Sequence, residues 1–219
     1  MSHLTRQGNS WIIITHVSDI SDAKTMLETV NKENYADYTS AKGINSKQHY
    51  IIPPSWMPSK DHNFPDNWDT ISAKYALIAQ KELVHYGIMP LNWKKLYARS
   101  AWTVKGEEGS YHTIHEHGPN SVSTILYTTV PPKGEDDIPY TNGSTYFVMD
   151  GSAYNDLSIP ACRVMHVTPK EGMLVIFPSY ILHGVYPQGP GLRQTLNIDY
   201  HGDPNFTYGL GTGGSTSYN

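Results

Sequence analysis

The sequence predicts an α+β domain in which two N-terminal helices support a sandwich or barrel of short strands. Three observations carry that reading. Apolar residues recur at helical spacing before about Leu91 and at a period of two after it. Turn residues punctuate the second half at regular intervals. The 25 aromatics, 16 of them tyrosine, give a chain of 219 residues ample surface to bury. One domain is expected over residues 1–208, with 1–90 as mainly helical and loop support, 91–208 as the strand core and 209–219 as a flexible tail rich in glycine and serine.

Trp11-Ile12-Ile13-Ile14 reads as a first strand. Ser18-Asp19 then marks a helix start, and Ile20, Ala23, Leu27 and Val30 share one face to about Asn31. Residues 32–66 are polar and interrupted by Pro53-Pro54, Pro58 and Pro65, the pattern of a long loop. Within it, Tyr50, Trp56, Pro58, Phe64 and Trp68 form an aromatic and proline-rich stretch that suits either a lid or plain packing. Asp69-Thr70 is read as the cap of a second helix carrying Ile71, Tyr75, Ile78, Ala79, Leu83 and Tyr86, ended by Gly87 and Pro90.

Strands follow at 96–104, 122–130, 146–149, 163–167, 173–177, 181–185 and 192–200, separated by Gly118-Pro119, Pro131-Pro132, Asn142-Gly143, Gly172, Pro178 and Gly189-Pro190-Gly191. Several function classes drop out at this level. A net charge of −4, with Lys94-Lys95 and Arg99 as the densest basic stretch, is too little for bulk nucleic-acid binding. No apolar run approaches the ~20 residues of a membrane-spanning helix, and no signal-like segment follows Met1. The single cysteine, Cys162, fits a reducing compartment and a small buried role. Glu135-Asp136-Asp137 reads as a solvated loop, and the sequons at Asn142 and Asn205 as inert turns. No phosphate loop, nucleophile elbow or Cys-x-x-Cys pattern occurs.

Histidine is the exception to this plainness: three of the 11, His112, His115 and His117, fall within six residues. In an extended segment, residues two apart face the same way, so His115 and His117 present two imidazoles together while Glu116 points away. Two such imidazoles are half of a site for Fe, Zn, Cu or Ni. A third ligand is sought in His183, the one histidine of an otherwise apolar strand, followed by a glycine that permits close approach. Ten positions on, Arg193, Thr195 and Asn197 share one strand face, and the planar guanidinium of Arg193 suits a carboxylate. Each feature alone has a plain reading, as solvated surface, core histidine or structural ion pair; the joint arrangement argues for a site.

These residues resemble the iron(II)/2-oxoglutarate-dependent oxygenases, and within them a bacterial and phage group distantly related to prolyl hydroxylases. The resemblance spans roughly Ala101–Tyr200. It rests on His115-Glu116-His117, Ser121-Val122-Ser123, Leu126-Tyr127, Gly172 to Ser179, His183 and Arg193-Gln194-Thr195, in that order. It implies a double-stranded β-helix, a jelly-roll barrel related to cupins, holding Fe(II) on His115, His117 and His183. It also implies 2-oxoglutarate as co-substrate, bound by Arg193 and Thr195 with Tyr127, Ser123 and Asn197 as further contacts. The implied reaction converts 2-oxoglutarate and O2 to succinate and CO2 while hydroxylating a small-molecule or peptidyl substrate. The implied setting is the cytoplasm of a bacterial cell or phage-infected host, with a homodimer left open.

One departure stands out. The superfamily commonly uses His-x-Asp or His-x-Glu, whereas position 117 is histidine, so the set is three imidazoles unless a carboxylate reaches in. Glu116, on a local bulge, and the 135–137 run are the alternatives. His112, three residues from His115, is expected off the ligand face, in a supporting or substrate-facing role. Asp199 lies on the strand face of Arg193 and is read as neutralising a neighbour. Two other functions compete: a cupin-like metal-dependent dioxygenase or isomerase without 2-oxoglutarate, and a non-catalytic jelly-roll binding module.

Overall fold

The structure, a computed structural model, describes residues 2–30, 36–37, 46–52, 65–118, 121–132, 142–149 and 163–205, with 36–37, 49, 50 and 52 described by backbone alone. In chain order the elements are β1 (His3–Gln7), β2 (Ser10–His16), α1 (Ser21–Val30), β3 (Ala36–Asp37), β4 (Lys47–Ile52), α2 (Trp68–His85), β5 (Tyr97–Gly106), β6 (His112–His115), β7 (Val122–Thr129), β8 (Thr145–Met149), β9 (Arg163–Val167), β10 (Met173–Pro178), β11 (His183–Val185) and β12 (Arg193–His201). They form an eight-stranded sheet, β1-β2-β10-β7-β12-β5-β4-β3, and a four-stranded one, β6-β11-β8-β9. Every pairing is antiparallel.

Strict alternation along the central strands divides the molecule into layers. Ile13, Leu126, Leu174, Ile176, Leu196 and Ile198 pack toward α1 and α2, against Met26, Leu27, Ile71, Tyr75 and Leu83. The intervening residues Ile12, Ile125, Tyr127, Val175 and Phe177 point the other way and meet Phe147, Met149 and Val167 of the smaller sheet. Successive side chains on a strand alternate faces, so this sheet is buried on both sides, and β2 and β10 read as nearly continuous apolar runs. Helix α1 enters through Asp19, whose carboxylate accepts the Ser21 backbone N–H at 3.0 Å. Helix α2 begins one residue before the expected cap: Asn67 occupies the cap position without a side-chain bond, and Asp69 lies in the first turn. It ends at Gly87, which takes the positive φ of 66° expected of a helix-terminating glycine.

Two expectations change, and an open one is decided for Trp68. The N-terminal ninety residues are more than helical support, since β1 and β2 extend one edge of the large sheet and β3 and β4 the other. The long loop is accordingly interrupted: β4 pairs with β5, and Ile51 is buried in the helix-side core. Of the two readings of the aromatic stretch, lid or plain packing, Trp68 takes the second: it opens α2 and packs at 5% exposure in that core. Trp56, Pro58, Phe64, Cys162, Glu135-Asp136-Asp137 and the tail 209–219 lie outside the described residues. No helix among the described residues is long and apolar enough to cross a membrane.

Candidate metal and anion site

The site lies between the two sheets. Strand β11 carries His183, buried to 3% exposure, between β6 and β8. His115 ends β6 directly opposite His183. His117 follows in the connection to β7, anchored by its backbone N–H donating to Ser179 O at 2.9 Å. The three histidines bring one ligand nitrogen each to within 4.8 Å of one another. Phe147 and Phe177 close around His183, with ring centroids 5.7 and 4.9 Å from its imidazole, and the edge of Trp102 meets His117 at 4.9 Å. Gly184 is required by this packing: a Cβ there would overlap the Tyr146 phenol and stand 2.8 Å from His112 O.

All three imidazoles are oriented from behind. His115 Nδ1 lies 2.8 Å from Thr113 O, and His183 Nδ1 lies 2.8 Å from Ile181 O. A carbonyl can only accept, so each Nδ1 carries the proton and each Nε2 keeps a free lone pair. His117 Nδ1 stands 3.1 Å from Asp199 Oδ1 and 3.0 Å from Ser123 Oγ. That is how proteins prepare imidazole to bind a metal: the outer partner fixes the tautomer and ring angle. Burial and the neighbouring imidazoles push His115 down to about 4 and hold His183 well below the ordinary histidine value. Neutral imidazole is the form that binds a metal.

His112 departs from the strand rule. Pairing of β6 with β11 matches His115 to His183 but His112 to Val185, three residues against two, which is a bulge. The extra residue turns His112 back to the side of His115, and the rings stack at 4.4 Å. His112 is therefore on the site's side, contrary to the simple period, although it lies outside the three-nitrogen set. Desolvation, with His115 and Arg193 nearby, pushes it down to about 3, and its Nε2 meets the Gln48 amide at 3.2 Å.

The first residue of β12, Arg193, is 5% exposed, and among the described residues no carboxylate pairs with it. Its guanidinium lies over the Tyr127 ring at 5.1 Å, one terminal nitrogen reaches Thr145 Oγ1 at 3.4 Å, and its Nε is buried without a hydrogen-bond partner. Tyr127 Oη bonds the same Thr145 hydroxyl at 2.7 Å. A buried cation left this incompletely satisfied is a cradle for an anion. The residues thus fit both halves of the implied pair, nitrogen donors for a divalent ion and a guanidinium for a carboxylate.

Two expected contacts are placed differently. Ser123 sits opposite Asp199, whereas Tyr127 sits opposite Thr195. Four residues of strand put Ser123 about 13 Å from Tyr127, too far to share one short dicarboxylate. Its hydroxyl donates instead to Asp199 Oδ1 at 2.5 Å, behind His117. Asn197 shares the inward face, but its amide is taken by Thr195 Oγ1 at 3.0 Å and Trp102 O at 3.3 Å. Sequence reasoning missed Thr145, because the run 146–149 is apolar throughout and only the burial of β8 shows Thr145, Phe147 and Met149 on one inward face.

Comparison with known proteins agrees with this geometry. Residues 100–199 match the family model described as "Putative 2OG-Fe(II) oxygenase". No curated protein matches the sequence. Among solved structures, a Pseudomonas putida prolyl-4-hydroxylase is 17% identical at TM-score 0.54, covering 88% of this chain and 92% of that one. The viral collagen prolyl hydroxylase of Paramecium bursaria Chlorella virus-1, solved with 2-oxoglutarate, is 15% identical at TM-score 0.52 over 87% and 96%. HygX of Streptomyces hygroscopicus, solved with nickel, 2-oxoglutarate and hygromycin B, is 14% identical at TM-score 0.54 over 90% and 84%. At these identities the structural likeness speaks to fold: the chain has the double-stranded β-helix of these enzymes.

Proposed function

We propose that this chain, whose residues 100–199 match the model of the 2OG-Fe(II) oxygenase family, is a dioxygenase that hydroxylates its substrate while converting 2-oxoglutarate and O2 to succinate and CO2. The observation that carries the reading is the juxtaposition, in one inter-sheet space, of three oriented imidazoles with a buried guanidinium that pairs with no carboxylate among the described residues. His115, His117 and His183 hold the iron through Nε2, with Nδ1 committed to Thr113 O, Asp199 and Ile181 O. Bound together, Fe(II) and 2-oxoglutarate would supply the electrons that activate O2, one oxygen atom leaving in succinate as 2-oxoglutarate is oxidised and decarboxylated and the other passing to the substrate.

The chain's own residues bind, orient and exclude water. Arg193 takes the distal carboxylate of 2-oxoglutarate through a charge-assisted fork, on the floor made by Tyr127 and Thr145. Thr195, one turn of the pleat further on, is 1% exposed and directs its hydroxyl into the same polar face. Phe147, Phe177 and Trp102 close the space around the imidazoles and strengthen every charge interaction within it. His112, beside His115 and outside the ligand set, faces the substrate side. The substrate is a small molecule or a peptidyl group, and the setting is cytoplasmic.

The donor set itself favours a second reading, since three imidazoles without a carboxylate also suit a cupin-like metal enzyme that does not use 2-oxoglutarate. Such an enzyme has no use for a buried guanidinium at position 193 that lacks a carboxylate partner among the described residues. The purified protein, supplied with Fe(II), 2-oxoglutarate and O2, is expected to form succinate slowly even without substrate. Arg193→Ala should abolish that turnover. Metal binding with no succinate, and no effect of 2-oxoglutarate on metal affinity, would move the cupin-like reading ahead.

A further inference from the structure

Asp199 is the polar residue of β12 with the least ordinary surroundings. It is 3% exposed, and among the described residues neither lysine nor arginine pairs with it. Both its recorded partners converge on one oxygen: Ser123 Oγ at 2.5 Å and His117 Nδ1 at 3.1 Å. Ser123 is fixed in turn by Ser179, whose hydroxyl lies 2.8 Å away, and by its place directly across the strand pair from Asp199. A buried carboxylate whose partners are one hydroxyl and one imidazole is costly, and proteins keep such groups where a cation lies close by. Here the cation would be one held by the clustered nitrogens of His115, His117 and His183.

The charge inventory points the same way. A facial triad of two histidines and one carboxylate gives iron one negative charge in its first shell. The nearest residue that sequence spacing offers for that role, position 117, is histidine. The count is restored if Asp199 is included: divalent iron, the 2-oxoglutarate dianion, Arg193 and one carboxylate balance to zero. Glu116 and the acidic run at 135–137 are then not needed.

We propose that Asp199 is the displaced carboxylate of this metal centre, supplying through the His117 imidazole the negative charge that the common triad supplies by direct ligation, with Ser123 fixing its orientation. The inference rests on the proposed metal site. Asp199 is thereby a positioning residue: it touches neither iron nor co-substrate, makes the His117 ring a stronger donor and fixes its angle.

Asp199→Asn keeps the shape and a hydrogen-bond acceptor but removes the charge. Titration of wild type and variant with Co(II) alone, followed by its visible bands, reads the metal affinity directly, and thermal melting of the metal-free proteins reads the structural contribution. The expected result is a dissociation constant raised about 10- to 100-fold in Asp199→Asn, with metal-free melting unchanged or raised, because an uncompensated buried charge is gone. In a His117→Asp background, which puts a carboxylate on the metal, Asp199→Asn should no longer weaken binding and should improve it. Equal Co(II) affinity in wild type and Asp199→Asn would overturn the proposal, as would a variant that unfolds or melts much lower without metal, since Asp199 would then be structural. A wild-type protein that binds no Co(II), behaving as His183→Ala does, would instead overturn the metal site itself and this inference with it.

Discussion

The two faces of strand β12 differ more than any two regions of the molecule. On one, Leu196, Ile198 and Tyr200 join the core beneath the helices, all of them at most 1% exposed. On the other, Arg193, Thr195, Asn197 and Asp199 are nearly as buried, at 1–6% exposure, yet every one is polar. Burial alone therefore does not mark a folding core. The helix side is stabilised by area removed from water, at about 25 cal/mol per Å². The inter-sheet side sets that gain against desolvated charge, a cost that a bound metal and a bound dicarboxylate offset. One face holds the strand in place so that the other can be held ready.

If that contrast is right, substitutions on the two faces should separate ligand affinity from stability. His183→Ala should produce the largest effect, removing one of three metal nitrogens and lowering Fe(II) affinity by roughly three orders of magnitude, with a small change in metal-free melting; equilibrium dialysis checks it. Arg193→Ala should weaken 2-oxoglutarate binding about a hundredfold or more while metal affinity moves only a few-fold, since a charged partner is lost at the far end of the co-substrate alone. Calorimetric titration of the metal-loaded protein separates the two.

Leu126→Ala, on the helix side of β7, should do the reverse: a loss of about 2–5 kcal/mol in denaturant unfolding with ligand affinities unchanged in the folded protein. A shared effect on affinity and stability would erase the distinction between the faces.

Acid should act on the site side. The values of His112 and His115 are depressed to about 3 and about 4, so the unfolded chain binds protons first as pH falls. Stability of the metal-free protein is then fully present above about pH 6.5 and is lost as pH falls toward 4, by about 3 kcal/mol from His115 alone at the lower end. Unfolding in urea across that range, with and without His115→Ala, measures it. The smallest effect is expected from Tyr127→Phe, which removes one hydroxyl from the anion floor: about 1 kcal/mol in 2-oxoglutarate affinity.

Much of this contrast was legible in the sequence because it is written in a period of two. The run from Arg193 to Tyr200 separates its faces at sight, and the strand at 173–177 stands out as a short, wholly apolar run. What failed was non-local. Strand β4 is polar and follows no recognisable pattern of its own, and it forms because β5 offers an edge. The position of His112 depends on a bulge that exists only in the pairing of β6 with β11, so no spacing rule on one strand could find it. Ser123 and Asp199 are unremarkable singly in sequence. Their meaning comes from facing each other across a strand pair behind a histidine carried by neither strand.

The central claim is that one inter-sheet space binds a metal and a dicarboxylate together. Anaerobic titration of the metal-free protein with Fe(II), then 2-oxoglutarate, followed by visible absorption, tests it most directly. A weak charge-transfer band should appear only when both are present, and vanish in His183→Ala and in Arg193→Ala. Iron binding with no band on adding 2-oxoglutarate, or a band that survives Arg193→Ala unchanged, would contradict the account.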